Sequence, residues 1–402
     1  MKNIFFNDKN ALFLLPTDEN QLLNFTFHEL KKYFNSVKRF NFVGYCHQNG
    51  IRNTESFIKN LISNEKIDII ITSPFATDYQ LSVEFYASLK NKVKIVFWMI
   101  DDESYFDVYG KYYCQIADAV ITCDYFSVFA YERLGIPAIF LMAYHGKEDY
   151  HPVEIDRDTD VCFVGDCLKS DRMEYINFLV DNGISVRTFG IGSKNGFVEW
   201  NKFSEIFSRS KINLNFTKLS KLFWVNKDEP LLHRVRANKG RPLEIALTKS
   251  FCLSEYSPSL KYLFEIGKEI DVFYNKEDLL EKIRYYLSND QKREEISNNA
   301  YQKAIKYYES EVYFLKLLKE LEDVLSEKKI QPPEYNEIFL SKNFKINSIN
   351  GLTFSMFVLI KNRKIFYALK TFAKLLKYGF FIFLAGFSDG LVRVMKNILN
   401  KK

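Results

Sequence analysis

The sequence predicts an α/β protein with two Rossmann-like parallel-sheet domains facing across a cleft, followed by a basic helical tail. Three observations point there. The 402 residues exceed what one hydrophobic core usually supports. Short β-branched and aromatic runs alternate with amphipathic stretches of helix length up to about residue 290, the pattern of βαβ units. From residue 338 to the end, twelve Lys and Arg stand against one acid, Asp389. That segment carries +11 and leaves −5 for the rest of a chain whose net charge is +6.

In the first half, strands are expected at 11–15 (ALFLL), 39–45 (RFNFVGY), 67–72 (IDIIIT), 94–100 (KIVFWMI), 118–123 (DAVITC) and 137–142 (PAIFLM). Helices fill the gaps, the first with Thr17 as a plausible N-cap. A polar stretch containing His151-Pro152 leads to a second series, with strands at 160–165, 185–190, 212–216, 249–254 and 270–274. Helices at about 276–288, 291–306 and 310–327 close it, and Pro332-Pro333 cannot continue them. The expected divisions are 1–155, 156–330 and a tail of 331–402.

Composition narrows the function. With 47% apolar residues, 38 Phe and 25 Tyr there is material for two packed cores and no case for disorder. The six cysteines form no CxxC pair, and the start of the chain lacks the features of a secretory signal, so reduced thiols and a cytoplasmic protein are expected. Neither GxGxxG nor GxxxxGK[ST] occurs, which argues against a dehydrogenase or a P-loop ATPase. The five histidines show no metal-ligand spacing. An acidic body with a basic, aromatic tail suits an anionic membrane surface better than nucleic acid.

Ligands of open parallel sheets bind beyond the carboxyl ends of the strands, and this rule ranks the motifs. FVGDCLKSDR puts Gly165 at a strand end with Lys169 and Arg172 following; TFGIGS puts Gly190 and Gly192 at the next, where backbone can approach a flat base. After INLNF a long connection ends in HRVRANKGRPLEIAL, which holds Arg234, Arg236, Lys239 and Arg241 within eight residues. Guanidiniums feeding a helix start are what a diphosphate needs, and Glu244 could accept both hydroxyls of a ribose. The bland reading is a solvated basic loop. Asp158-Thr159-Asp160 spells a metal-binding motif but precedes its strand, on the wrong edge. Asp101-Asp102-Glu103 follows its strand, so Asp101 and Asp102 are tentative acceptor-side carboxylates, with a helix N-cap as the alternative.

The stretches FWMIDDESYFD, DAVITCDYFSVFAYERLGIPAIFL, DVCFVGDCLKSDR, SKINLNF, GRPLEIALTKSFCLSE and IDVFYNKEDLLEKIRYYLSNDQKREEIS resemble, in order, the CgeB-like (spore maturation protein type) glycosyltransferases of the GT-B superfamily. The resemblance implies transfer of a sugar from a nucleoside-diphosphate sugar, held by the second domain, to an acceptor on the first, with no metal or other cofactor required. A glycan, lipid-linked or protein acceptor of the cell envelope fits such a protein. The chain is also similar to the group-1 glycosyltransferases, whose Glu-x7-Glu motif straddles the donor. Glu244 matches the second glutamate, but Arg236 stands where the first would be. A non-catalytic, two-lobed nucleotide- or sugar-binding relative is the rival reading.

Residues 352–399 lie outside this resemblance. Ile365, Leu369, Phe372 and Leu376 share one helical face, with Arg363, Lys370, Lys374 and Lys377 opposite. The expectation is an in-plane anchor on the inner face of the cell membrane, or else a helix packed on the first domain.

Overall fold

The computed structural model describes residues 5–15, 21–73, 81–142, 145–219, 236–326 and 342–399. Six parallel strands make the first sheet: β1 (Asn10–Leu15), β2 (Ser36–Asn41), β3 (Ile69–Thr72), β4 (Lys94–Met99), β5 (Ala119–Thr122) and β6 (Ala138–Phe140), in the order β2-β1-β3-β4-β5-β6. Five make the second: β7 (Thr159–Val164), β8 (Val186–Phe189), β9 (Ser210–Asn215), β10 (Cys252–Glu255) and β11 (Asp271–Phe273), in the order β11-β10-β9-β7-β8. Both sheets are parallel throughout. Strands covered by helices on both faces read as continuous apolar runs, and Ile69–Thr72 and Ala119–Thr122 are buried at every position.

The first sheet is wrapped by α1 (Gln21–Leu30), α2 (Phe42–Asn49), α3 (Ile51–Asn64), α4 (Val83–Ala87), α5 (Asp102–Tyr105), α6 (Lys111–Tyr113) and α7 (Tyr125–Arg133). The second carries α8 (Arg172–Asp181), α9 (Phe203–Arg209), α10 (Arg241–Leu247), α11 (Lys276–Leu287), α12 (Asp290–Tyr307) and α13 (Ser310–Ser326). The tail is α14 (Lys342–Lys361), α15 (Ile365–Leu375) and α16 (Phe380–Leu399). One expected strand is corrected. The 39–45 run stays extended only to Asn41, whose side chain accepts a hydrogen bond from the Gly44 amide at 2.9 Å and so caps α2. Thr17 and Pro332-Pro333 lie outside the described residues.

Three apolar layers hold this together. Leu12, Ile70, Phe97 and Val120 of the first sheet pack with Phe42, Ile58 and, from the tail, Leu352 and Leu359. The opposite face of that sheet, with Phe13, Ile71 and Ile121, shares one core with Cys162, Cys252, Leu243 and Leu247 of the second domain and with Phe314, Leu317, Leu318 and Leu321 of α13. Each fully buried side chain of this size contributes about 1.5–3 kcal/mol, so α13 binds the two domains through several such terms. The outer face of the second sheet packs on α8 and α11 through Ile176, Leu179, Leu279 and Ile283. All six cysteines are free and buried.

The tail resolves into two parts. α14 enters the core of the first domain, while the sequence-predicted stripe on α15 stays outside it: Ile365 is 53% exposed and Leu369 62%. No helix among the described residues is long and apolar enough to cross a membrane.

A candidate donor site between the two sheets

In the second sheet the chain runs from β7 to β8 on one side and then to β9 on the other, so the strand order reverses between β7 and β9. A crevice opens at such a reversal, and its walls here are basic. After β7, the loop from Gly165 to Asp171 leads into Arg172. The Arg172 guanidinium lies over the rings of Phe163 (5.5 Å) and Phe216 (6.0 Å), and its Nη1 donates to the Asp166 carbonyl at 2.9 Å. Its buried Nε has no hydrogen-bond partner. After β9, Lys218 pairs with Asp171. Arg236 bridges back to Lys218 and pairs with Glu255 at 3.3 Å.

Glu255, at the end of β10, organises this crevice. It is 2% exposed and its Oε2 accepts from the Thr217 and Lys218 amides at 2.8 and 2.9 Å. One carboxylate thus fixes the β9 loop and holds Arg236 beside it. The acid directly after the apolar run FCLS was the available sign of this role.

Arg241 and Glu244 form a neighbouring cluster rather than the same one. They pair with each other, and Glu244 Oε1 lies 3.5 Å from His145 Nε2 at the interdomain linker. Arg241 rests on the rings of Phe203 (5.0 Å) and Phe207 (5.4 Å) and is near enough to Arg172 to repel it. Burial lowers the pKa of His145 and thereby favours its neutral form. The α10 helix that carries this pair is only two turns long, so most of the positive potential comes from side chains.

The glycines of this wall sit where the loops after β7 and β8 meet. Gly190 has φ 111° and Gly192 φ 69°. A Cβ at Gly190 would come within 2.3 Å of the Gly165 carbonyl oxygen, and one at Gly192 within 2.4 Å of Leu168. The loops after β7 and β8 press against each other here, so a side chain at Gly190 or Gly192 would collide with the neighbouring loop.

Across the cleft, Asp101 and Asp102 separate. Asp101 pairs with Lys239 of the second domain. Burial alone would lower the Lys239 pKa, but Asp101 and Glu103 outweigh it and raise it. Lys169 lies in the same neighbourhood, its pKa lowered by burial and by Lys239 and Arg172. Asp102 points into the core instead, 0% exposed, accepting from Thr122 Oγ1 at 2.8 Å and Tyr131 Oη at 3.1 Å. Burial pushes its pKa up to about 7. Glu103, which the spacing argument passed over, has both carboxyl oxygens buried without a hydrogen-bond partner. Burial pushes it up to about 8 against the opposing pull of Lys239.

The Asp158-Thr159-Asp160 run sits at the other edge of the sheet, with Asp158 on Arg209 at 2.8 Å and Asp160 on Lys211 at 2.7 Å. No group of three His, Cys, Asp or Glu among the described residues could hold a metal ion. Arg234 lies outside the described residues.

Residues 174–319 match the family model described as glycosyl transferase-like. No curated protein matches the chain. Similar solved structures include the UDP complex of Anabaena HepE, at 12% identity over 78% of this chain and 100% of that one, TM-score 0.55. Sucrose-phosphate synthase from Thermosynechococcus elongatus aligns at 8% identity over 79% and 100%, TM-score 0.59. A glycosyltransferase from Rickettsia africae aligns at 10% identity over 80% and 100%, TM-score 0.56. At these identities the likeness is one of fold. The chain thus has the two-sheet fold of these GT-B glycosyltransferases, and the glycosyl transferase-like segment takes in most of its second sheet and the helices that follow.

Proposed function

We propose that this glycosyltransferase moves a sugar from a nucleoside-diphosphate sugar to a glycan, lipid-linked or protein acceptor of the cell envelope, without a metal and at the inner face of the membrane. It is read as a member of the CgeB-like branch. The observation that carries the proposal is the set of cations Arg172, Lys218 and Arg236 at the strand-order reversal of the second sheet, with Lys239 of the same domain reaching Asp101 across the cleft.

In the transfer, an acceptor hydroxyl oxygen bonds to the anomeric carbon while the bond from that carbon to the diphosphate oxygen breaks. The electron pair leaves with the diphosphate, and the hydroxyl proton is lost to a base or to solvent. Arg172 and Arg236 stabilise the charge that grows on the departing diphosphate. Arg241 supports them from the adjacent cluster, and Glu244 keeps lone pairs for a ribose diol beyond those it gives Arg241. Gly165, Gly190 and Gly192 shape the wall beside them. Asp101, at the cleft beside Lys239, orients the acceptor hydroxyl. Among nucleotides UDP is the first to try, because HepE of the same fold was solved with UDP.

A thermal-shift screen over UDP, GDP, dTDP and CMP sugars, followed by an assay for released nucleoside diphosphate, tests the reading. Stabilisation by one nucleotide class with acceptor-dependent release supports it. Absence of any nucleotide-induced shift would remove it.

A further inference from the structure

The tail presents an apolar surface that no other element among the described residues covers. Eleven of the twenty-four exposed large hydrophobic side chains among the described residues lie on 342–399. On α15 and just beyond it they fall at Ile365, Phe366, Leu369, Phe372 and Leu376, while Ala368, Thr371 and Leu375 on the adjoining face are buried. On α16, Gly386 and Gly390 face α14 so closely that an added Cβ would lie 2.5 Å from Ile349 and 2.6 Å from Thr353. That contact fixes the roll of the helix. The stripe from Phe381 (81% exposed) and Leu384 to Met395 is thereby turned outward. Phe372 touches Phe383 and Phe387, half-buried side chains of α16 that pack toward the first domain's core, so the two helices lie side by side.

We infer that α15 and α16 form an in-plane hairpin that seats the first domain on an anionic lipid bilayer, with α14 as the rigid adapter. The occupant follows from charge and length. The segment from residue 338 carries +11 while the rest of the chain carries −5, so attraction to acidic headgroups is concentrated in the tail. A second copy of the chain would bring two strongly basic surfaces together. Neither helix meets the requirements for crossing a bilayer, whereas apolar stripes beside cations suit burial about 5–10 Å into the headgroup boundary. Because α14 is part of the first domain's core, the attachment sets the acceptor domain at a fixed height over the lipid. This deepens the membrane partner proposed above and selects a lipid-linked acceptor among the classes named there. It stands apart from the donor site.

The test is co-sedimentation of the full chain with phosphatidylglycerol or phosphatidylcholine vesicles, with nucleotide binding and melting temperature measured in parallel. The full chain is expected to bind phosphatidylglycerol vesicles, more weakly at high salt, and phosphatidylcholine vesicles far less. Phe381→Ser with Leu384→Ser, and separately Ile365→Ser with Leu369→Ser, should lower vesicle affinity about tenfold or more, since each removes several buried methylenes from the lipid contact. Melting temperature and nucleotide affinity should hold. Tyr285→Ser with Tyr307→Ser, which removes exposed aromatics of the second domain, should leave vesicle binding unchanged. Folded stripe variants that bind vesicles like the wild type would overturn the inference. So would a dimer that these substitutions dissociate in the absence of any vesicle binding. Either failure leaves the donor-site reading to stand on its nucleotide data.

Discussion

At Asp101 the backbone turns left-handed, with φ 56°, and this one residue decides what its neighbours face. Asp101 is left at the cleft beside Lys239, and Asp102 is carried into the core under Thr122 and Tyr131. Asn tolerates the left-handed region, so Asp101→Asn should keep the fold and nucleotide affinity while slowing transfer; equal losses of rate and of nucleotide affinity would contradict an acceptor-side role. Glu103 sets a pH dependence. Its pKa is raised by burial from 4.5 to about 8 in the folded chain. The stability from its bound proton is fully present below the unfolded value and is lost as pH rises from about 4.5 through 8. Glu103→Gln should therefore flatten the fall in denaturation midpoint between pH 5 and 8 and leave the variant more stable than wild type at pH 8. Asp102, also raised, contributes a similar slope in both proteins that ends at about pH 7. A slope as steep in the variant as in the wild type would show that Glu103 is not the titrating group.

Among the elements, the tail helices depend on close approach at glycine. Gly386→Val adds a branched side chain where even Cβ would meet Ile349, and overpacking of this kind costs about 1–3 kcal/mol. The expected result is a lower melting temperature with unchanged nucleotide affinity; an unchanged melting temperature would mean that α16 does not pack on α14 this way. The same contact was not legible in the sequence, because a glycine in an apolar run carries no sign of which neighbouring backbone or side chain will approach it. Interior strands were legible, since 67–72 and 118–123 are bounded apolar runs buried on both sides. The 39–45 run was not, because Phe42 and Val43 suit a strand as well as a helix until Asn41 caps the turn. Charges near strand ends were legible as a class. Their partners were not: that Arg241 would pair with Glu244, and Arg236 with Glu255, depends on how the β9 and β10 loops meet in space.

Taken whole, the molecule is two sheets tied by a shared core and by α13, with cations of one domain facing carboxylates of the other. On the proposed function, the strand-order reversal of the second sheet holds the donor diphosphate. Calorimetric titration of the preferred nucleoside diphosphate against wild type, Arg172→Ala, Arg236→Ala, Arg241→Ala and Glu244→Ala tests it most directly, with melting temperatures recorded alongside. Hydrogen bonds to charged groups are worth about 1.5–3 kcal/mol, and about 1.4 kcal/mol is one decade of affinity. Each folded variant should therefore bind about tenfold or more weakly, and the arginine effects should grow at low ionic strength. Wild-type affinity in all of the folded variants would contradict the account and take the donor site away from this crevice.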